Sequence, residues 1–401
     1  LNFFDDLKLR VSAGQTGGQG VSAYATRSRF VVSNYGMGGS LQSGMAESRW
    51  GGPAAALLKW ETTNQFDIGL DIAFLNNRVN LTVDAYYKKT KDLLLDKLIP
   101  MSSGFSRIQA NYGNVTNKGL EISGHFIPVK ARNFLWSIDA NISFNRNKVG
   151  GLDADQYSDV AWGIENMFLV RNGEPIGTLY GYVEDGFYDN EAEVRADPLY
   201  RNETDSKVKS MVGEVKYKNL DDDPVIDNRD RQIIGNTNPD YQYGITNTLE
   251  WKNWTFSFFL QGTQGNDVLN VNLKKFDMAS VDNMPYFIYN NRWTAENRAN
   301  AKWPRANRTS TRFMRASDRY IEDGSYLRCK NVSLSYRFRH PMKFVESINL
   351  VASVSNLFTI SGYSWMDPDV NSFGSDPKRR GVDMASYPSA RTFNFGVQIG
   401  F

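Results

Sequence analysis

An acidic segment near the middle of the chain has the residue types and spacing of a calcium-binding loop. In YKNLDDDPVIDNRDRQIIG (residues 217–235), oxygen-bearing groups fall at loop positions 1, 3, 5, 7, 9 and 12, namely Asn219, Asp221, Asp223, the Val225 carbonyl, Asp227 and Asp230. Hard cations bind such sets of oxygens. Pro224 stands where a glycine usually turns the chain, and the last acid is Asp instead of the longer Glu. The segment therefore predicts either a calcium site at residues 219–230 or a solvated acidic loop held by Asx turns.

A basic stretch lies at residues 292–319, where only Glu296 and Asp318 oppose eight cations. The cations are Arg292, Arg298, Lys302, Arg305, Arg308, Arg312, Arg315 and Arg319. Guanidinium groups bind phosphate and carboxylate groups well. We expect Trp293, Arg305 and Arg308 to contact an anionic ligand or a protein partner, and the alternative is a solvated loop folded over the rest of the protein.

Aromatic residues in the other long segments would stack on sugar rings or contact peptide side chains. The candidates for such contacts are Trp162, Tyr180, Tyr182, Tyr286, Tyr289 and Trp365. The alternative for each is packing between loops. His125 and His340 have no convincing Asp or Ser partner in the sequence, and Cys329 is expected to be a small buried residue. We therefore expect no catalytic residues and no enzymatic activity.

Composition narrows the class of protein. The 401 residues include 46 Lys plus Arg and 44 Asp plus Glu, so the net charge of +2 argues against a nucleic acid-binding chain. The mean hydropathy is −0.47, and no apolar run is long enough to predict a membrane-spanning helix. The 24 Phe, 20 Tyr, 9 Trp and 33 Gly are typical of extended, turn-rich β structure.

Alternation with a period of two is the strongest pattern in the chain. In WSIDANISFN (residues 136–145), apolar and polar side chains alternate without a break, which predicts a strand with one apolar and one polar face. The same pattern predicts ten strands, near residues 7–14, 64–75, 78–91, 117–128, 133–147, 240–251, 253–263, 325–339, 347–357 and 391–401. Several have the roughly 9–11 residues that a tilted strand needs to cross a bilayer.

The connections between these strands are alternately short and long. The short ones are Asn76–Asn77, 129–132, Lys252 and 340–346, and the long ones are 15–63, 92–116, 148–239, 264–324 and 358–390. Outer-membrane barrels have short periplasmic turns and long extracellular loops, whereas a soluble β-sandwich has no reason to sort its loops in this way. We therefore predict an all-β protein, an antiparallel transmembrane β-barrel segment whose apolar face meets lipid and whose polar face borders a wet lumen.

Motifs along the whole chain resemble the C-terminal part of SusC/RagA-type TonB-dependent outer-membrane transporters of the Bacteroidetes. They are WETTNQFDIGLD (60–71), NKGLEI (117–122), NGEPIGTLYGY (172–182), GNTNPDYQYGITNT (235–248), IEDGSYLRCKNVSLSY (321–336), NLFTISGYSWMDPDVN (356–371) and YPSARTFNFGVQIGF (387–401). Members of this family often carry a D-x-N-x-D-G-type stretch where this chain has its acidic segment, which favours calcium in the 219–230 loop.

The resemblance implies a Gram-negative outer-membrane protein with a 22-stranded barrel, of which residues 1–401 are a C-terminal portion. It places the plug, the TonB contact and the first barrel strands outside this chain, and we expect them to be supplied elsewhere in the assembly. It also implies import of an oligomeric nutrient, glycan or peptide, with a SusD-like lipoprotein as lid. The expected neighbours are outer-membrane lipid and lipopolysaccharide, with TonB reached through the plug and no nucleic acid.

Two other functions are compatible with a ten-stranded membrane barrel. An outer-membrane protease would need a His–Asp pair near the extracellular rim, whereas both histidines are predicted near the periplasmic turns. A passive porin or adhesin would tolerate long aromatic loops but leaves the family motifs unexplained. Of these three functions, we expect that of a transporter.

Overall fold

Ten long strands form one sheet, in which the order of the strands is their order in the chain. The computed structural model describes residues 3–18, 26–27, 30–47, 53, 55, 57–105, 107–160, 164–221, 223–275, 283–306, 315–342 and 344–401. The strands are β1 (Phe4–Gly18), β2 (Glu61–Phe74), β3 (Val79–Lys91), β4 (Asn114–Ala131), β5 (Phe134–Gly150), β6 (Tyr241–Trp251), β7 (Trp254–Gln264), β8 (Tyr326–Met342), β9 (Val345–Ser361) and β10 (Thr392–Gly400). The ten predicted strands are confirmed, and several extend beyond their predicted ends.

The two faces of these strands differ as the alternation predicts. Antiparallel register places Leu249 of β6 opposite Phe256 of β7, and Phe256 opposite Leu334 of β8, so these apolar side chains share one face. Phe256 is 38% exposed and Leu334 43% exposed. Three further apolar residues are also at least partly exposed, namely Ile138, Ile142 and Val397. An accessible apolar face is what a strand wall in lipid requires.

The short connections lie where the sequence predicts them. Asn76 and Asn77 adopt left-handed backbone with φ of 57°, and Lys252 does so with φ of 55°. Asparagine tolerates this conformation better than most residues, which suits it to a tight turn. The predicted turn at 340–346 is shorter in the structure, because β8 and β9 continue into it and pair as far as Met342 opposite Val345.

Two compact units make up the chain, and the first comprises residues 1–122, 145–155 and 171–174. On the polar face of its strands, Arg10 forms ion pairs with Asp71 at 2.8 Å and Asp84 at 2.9 Å. The connections of this unit contain two strand pairs and a 3-10 helix, namely Phe30–Met37 with Ser40–Glu47, Leu94–Leu98 with Arg107–Asn111, and Met101–Ser103.

The second unit comprises residues 123–144, 156–170 and 175–401. Its long connections hold three small sheets. A four-stranded sheet is formed by Gln156–Val160, Ile164–Val170, Thr178–Gly181 and Gln232–Asn236, and a strand pair is formed by Glu184–Phe187 and Val215–Tyr217. A three-stranded sheet is formed by Ile321–Asp323, Asp267–Asn270 and Val382–Asp383. Its α-helices are α1 (Glu191–Ala196), α2 (Asp205–Met211), α3 (Asn272–Lys275) and α4 (Tyr286–Asn290). Its 3-10 helices include Asn228–Asp230, Arg298–Asn300, Asp318–Tyr320 and Pro377–Arg379. In the described part of the chain, no helix is both long and apolar enough to span a bilayer.

The long connections of the second unit bury a hydrophobic core of their own. Ile164, Phe168, Leu179 and Tyr320 are each 0% exposed. We call the whole cluster the loop core, and its buried members are Val160, Ile164, Met167, Phe168, Leu179, Tyr182, Val215, Tyr217, Ile226, Leu269, Val271, Leu273, Ile288, Trp303, Ala316, Tyr320 and Val382. Buried apolar area is the main stabilising contribution to a folded body. These connections are therefore folded structures and not only solvated loops.

Candidate functional site

The acidic loop at residues 219–230 folds around one buried carboxylate. Asp230 is 1% exposed, and its two carboxylate oxygens accept hydrogen bonds from the backbone N–H groups of Leu220, at 2.8 Å, and Asp227, at 2.7 Å. The Asp227 side chain caps the 3-10 helix Asn228–Asp230, so Asp227 and Asp230 form a reciprocal capping box. The backbone of this loop is thus fixed by its own acids.

The guanidinium of Arg229 lies among three of the acids that the sequence assigns to calcium. It contacts Asp221 at 3.2 Å and Asp227 at 3.0 Å, and it also pairs with Asp223. Hydrogen bonds from Arg229 lower the pKa of the Asp227 carboxyl, while the same contacts and the neighbouring negative charges raise the pKa of Arg229. An arginine therefore supplies the positive charge at this point.

The two remaining residues of the predicted site also form hydrogen bonds within the loop, although at Val225 the group involved is the N–H and not the predicted carbonyl. Asn219 donates through Nδ2 to the carbonyl of Asp223 at 2.5 Å, and the N–H of Val225 donates to the Asp223 carboxylate at 2.8 Å. Among the residues that the structure describes, no three His, Cys, Asp or Glu side chains are arranged to hold a metal ion. The calcium site stays a prediction, and a cation bound there would have to share its carboxylates with Arg229.

Tyr180 and Tyr182, predicted to contact ligand, lie against an arginine in the interior. They are 9% and 8% exposed. The guanidinium carbon of Arg231 is 4.9 Å from the ring centre of Tyr180 and 5.6 Å from that of Tyr182. Cation–π contact of this kind is attractive when the pair is desolvated. Arg231 is not among the residues predicted from the sequence. The one sequence feature that points to it is its position directly after the acidic loop.

A buried ion pair joins the basic stretch to the strand Glu184–Phe187. Arg319 donates through Nε to Glu184 Oε1 at 2.7 Å and pairs with Oε2 through Nη2, and the two side chains are 8% and 13% exposed. Burial raises the pKa of the Glu184 carboxyl, against the opposing effect of Arg319. Arg319 also lies over the ring of Trp303, at 5.2 Å. Arg319 is therefore buried, which the alternative of a solvated loop does not describe.

Two further residues of the basic stretch hold it to the rest of the loops. Arg305 donates through Nη2 to the carbonyl of Ser210 at 3.0 Å, near the end of α2. Trp293 is 8% exposed and donates through Nε1 to Asp189 at 3.2 Å. Both side chains thus pack within the loops. The predicted contacts Trp162 and Arg308 lie outside the described residues.

The helix α4 presents aromatic side chains to solvent. Tyr286 is 79% exposed, Phe287 44% and Tyr289 52%, whereas Ile288 is 0% exposed and anchors the helix in the loop core. We call the three exposed rings the α4 patch. The guanidinium carbon of Arg292 lies 3.8 Å from the ring centre of Tyr289. Aromatic side chains are enriched in interaction surfaces, and the contact of Tyr286 and Tyr289 with a ligand or partner stays a prediction.

The segment after β9, which contains the predicted contact Trp365, is tied to the barrel wall by a buried arginine. Arg328 of β8 is 1% exposed and pairs with Asp367. Asp367 also accepts the backbone N–H groups of Asp369 and Ser389, each at 3.0 Å. Burial raises the pKa of Asp367, but these hydrogen bonds and the arginine outweigh it and the net pKa is lowered. Trp365, which is partly exposed, lies two residues from this anchor.

One histidine has the partner that the sequence did not reveal. His125 Nδ1 lies 2.7 Å from Asp139 Oδ1, on neighbouring segments of β4 and β5. The expectation that His125 lacks an Asp partner is therefore wrong. The pair lies on barrel-wall strands near the short turn that joins them, whereas the protease alternative requires a His–Asp pair near the extracellular rim.

The sequence profile of the family described as "TonB dependent receptor-like, beta-barrel" matches residues 1–357. The chain belongs to this family. It is an outer-membrane β-barrel segment. It is 34% identical to TonB-dependent receptor P26 of Formosa agariphila, over 99% of this chain and 40% of that protein. It is 29% identical to TonB-dependent receptor SusC of Bacteroides thetaiotaomicron, over 100% of this chain and 38% of that protein.

Solved structures with the same fold include the RagAB peptide transporter. Superposition on it covers 100% of this chain and 41% of that one, with a TM-score of 0.75 and 20% identity. The RagAB peptide importer in its 'closed-closed' state gives a TM-score of 0.76 with 19% identity. The chain spans about two fifths of the length of the proteins that it matches. It therefore corresponds to a C-terminal part of a SusC/RagA-type receptor, as the sequence motifs predict.

Proposed function

We propose that this chain forms barrel wall and extracellular loops of a TonB-dependent importer for an oligomeric nutrient. One observation carries the proposal: the short connections are tight turns, whereas the long connections of the second unit fold around the loop core. A wall of alternating strands needs no such core, since its strands are stabilised by lipid and by their neighbours. A folded body on the long connections provides surface for recognising cargo.

The cargo in this proposal is a glycan or a peptide, and a SusD-like lipoprotein acts as lid. The aromatic side chains of the α4 patch support recognition of either cargo or lid, because rings stack on sugars and bury against apolar groups with little loss of conformational freedom. The family membership and the relatives named TonB-dependent receptors support energy coupling through TonB. In this proposal the chain carries binding surface and performs no chemistry.

Uptake by cells that make the intact transporter tests the proposal. The gene would be deleted and restored, and uptake of fluorescent oligosaccharides and oligopeptides would be measured with and without TonB. We expect uptake of one class to be lost on deletion, restored by complementation and lost again without TonB. Uptake that continues when the gene is deleted, or when TonB is absent, would contradict the proposed import function.

The α4 patch offers a sharper test of lid or cargo contact than the basic stretch. Arg305→Glu would break the contact with Ser210 and disturb the loop fold, whereas Tyr286 and Tyr289 project into solvent. We expect Tyr286→Glu with Tyr289→Glu to reduce copurification of the lid lipoprotein, or cargo uptake, by about tenfold or more. The matched control is Tyr387→Glu, because Tyr387 is 91% exposed on another connection. Equal effects of the two changes would exclude the patch from both contacts.

A further inference from the structure

Two arginines and four tyrosines form a connected series of contacts through the loops of the second unit. We call this series the arginine–tyrosine ladder: Tyr157 contacts Tyr180, Arg231 lies over Tyr180 and Tyr182, and Arg315 lies over Tyr182 and Tyr217. Ring centres are 5.7 Å apart for Tyr157 and Tyr180, and 5.4 Å apart for Tyr182 and Tyr217. Each arginine therefore lies against tyrosine rings.

Arg231 is the most unusual member of the ladder. It is 8% exposed, and its Nη2 donates to the carbonyls of Asn166 at 2.6 Å and Tyr180 at 3.0 Å. Its Nε is buried without a hydrogen-bond partner among the described residues. Burial lowers the pKa of Arg231, and tyrosines are the groups that oppose the shift. A buried cation without a carboxylate, and with a donor left over, is a costly arrangement that calls for an explanation.

Arg315 adds a second positive charge without an acidic partner. It is partly exposed and donates through Nη1 to the carbonyl of Ile226 at 3.1 Å. Within the described ranges, neither Arg231 nor Arg315 forms an ion pair. The acids that act on Tyr182, Asp227 and Asp230, are already bound by Arg229 and by backbone N–H groups. The ladder thus carries two cations that have no acidic partner in the part of the chain that the structure describes.

We propose that the arginine–tyrosine ladder binds a carboxylate group of the cargo, so that the importer selects acidic oligomers. The carboxylate accepts hydrogen bonds from Arg315, which is partly exposed. The positive charge of Arg231, which is buried against the same Tyr182 ring, attracts the carboxylate over a longer distance. A ligand can reach the ladder at Tyr157, which is 44% exposed, and at Arg315. This inference rests on the proposed import function. Acidic sugars and acidic peptides both supply the required group.

Calorimetry on the intact transporter, purified from outer membranes, tests the site. The probes are trigalacturonate with its neutral methyl ester, and triglutamate with triglutamine, both peptides being N-acetylated and C-terminally amidated so that triglutamine carries no carboxylate. The two pairs distinguish the sources of carboxylate. We expect the wild type to bind one charged probe at least about tenfold more tightly than its neutral partner. Arg315→Gln should weaken that binding by about 10- to 100-fold, which is the usual effect of losing a hydrogen bond to a charged group, and Arg231→Gln should weaken it by a smaller factor.

Arg201→Gln is the matched control, because Arg201 is an exposed arginine on the same connection and lies outside the ladder. It should bind as the wild type does. If Arg231→Gln fails to fold, the Arg315→Gln variant and the preference of the wild type for a charged probe over its neutral partner still test the site. Equal binding of charged and neutral probes, binding of neither charged probe, or wild-type affinity in the variants would overturn the site. Carboxylate binding without TonB-dependent uptake would instead overturn the import function and leave the site standing.

Discussion

Gly181 lies so close to the backbone of Ala316 that a Cβ on Gly181 would be 2.5 Å from the Ala316 carbonyl oxygen. The same carbonyl accepts the backbone N–H of Tyr182 at 2.8 Å. This contact joins the strand Thr178–Gly181 to the end of the basic stretch, across more than a hundred residues of sequence. It brings Tyr182 and Arg315, on the two sides of the contact, into the same part of the loops.

Gly181→Ala should therefore loosen the loops of the second unit. The added methyl group meets backbone, which cannot turn away as a flexible side chain can, and overpacking of this kind costs about 1–3 kcal/mol. Amide hydrogen exchange of residues 178–187 and 315–321 measures the loss. The control is Gly362→Ala, because a Cβ at Gly362 has no atom within 4 Å among the described residues. Similar exchange in the two variants would show that the close approach does not constrain the fold.

The strands of the barrel wall could be predicted from the sequence because consecutive side chains of a strand lie on opposite faces of the sheet, so a short stretch of sequence shows the pattern. A strand such as β5 shows its two faces in ten consecutive residues, and two residues, Asn76 and Asn77, mark the turn between β2 and β3. The loop contacts are different in kind. Glu184 and Arg319 are 135 residues apart, and Arg231 and Tyr180 are 51 apart, so no local pattern reports that they meet.

The acidic loop shows the limit of spacing as evidence. Its oxygen-bearing residues recur at calcium-ligand positions, yet Arg229 lies two residues from Asp227 in the same segment and points its charge at the same carboxylates. The spacing identifies candidate ligands but does not show which positively charged group their oxygen atoms contact. The side-chain direction of Arg229 is decided by the fold of the loop around Asp230.

Replacing Arg229 tests whether the arginine and calcium compete. In Arg229→Gln, Asp221, Asp223 and Asp227 lose their positive partner, and affinity for calcium grows with the uncompensated negative charge of a loop. We expect wild-type binding no tighter than about 10⁻⁴ M, and binding tighter by at least about tenfold in the variant. Calorimetry with calcium chloride measures both. Arg201→Gln is the control, and unchanged calcium heat in Arg229→Gln would contradict the competition.

The buried pair of Glu184 and Arg319 makes a separate prediction about stability. Glu184→Gln keeps the shape of the side chain but leaves the Arg319 charge buried without a partner, and removing one member of a buried pair costs about 3–5 kcal/mol. The loss should appear as faster amide exchange in residues 184–187 and 317–321. Asp205→Asn is the matched control, since Asp205 pairs with Arg195 but is 87% exposed. Exposed pairs contribute at most about 1 kcal/mol, so the control should change little. Equal exchange in the two variants would mean that water reaches Arg319 and solvates it when Glu184 is lost.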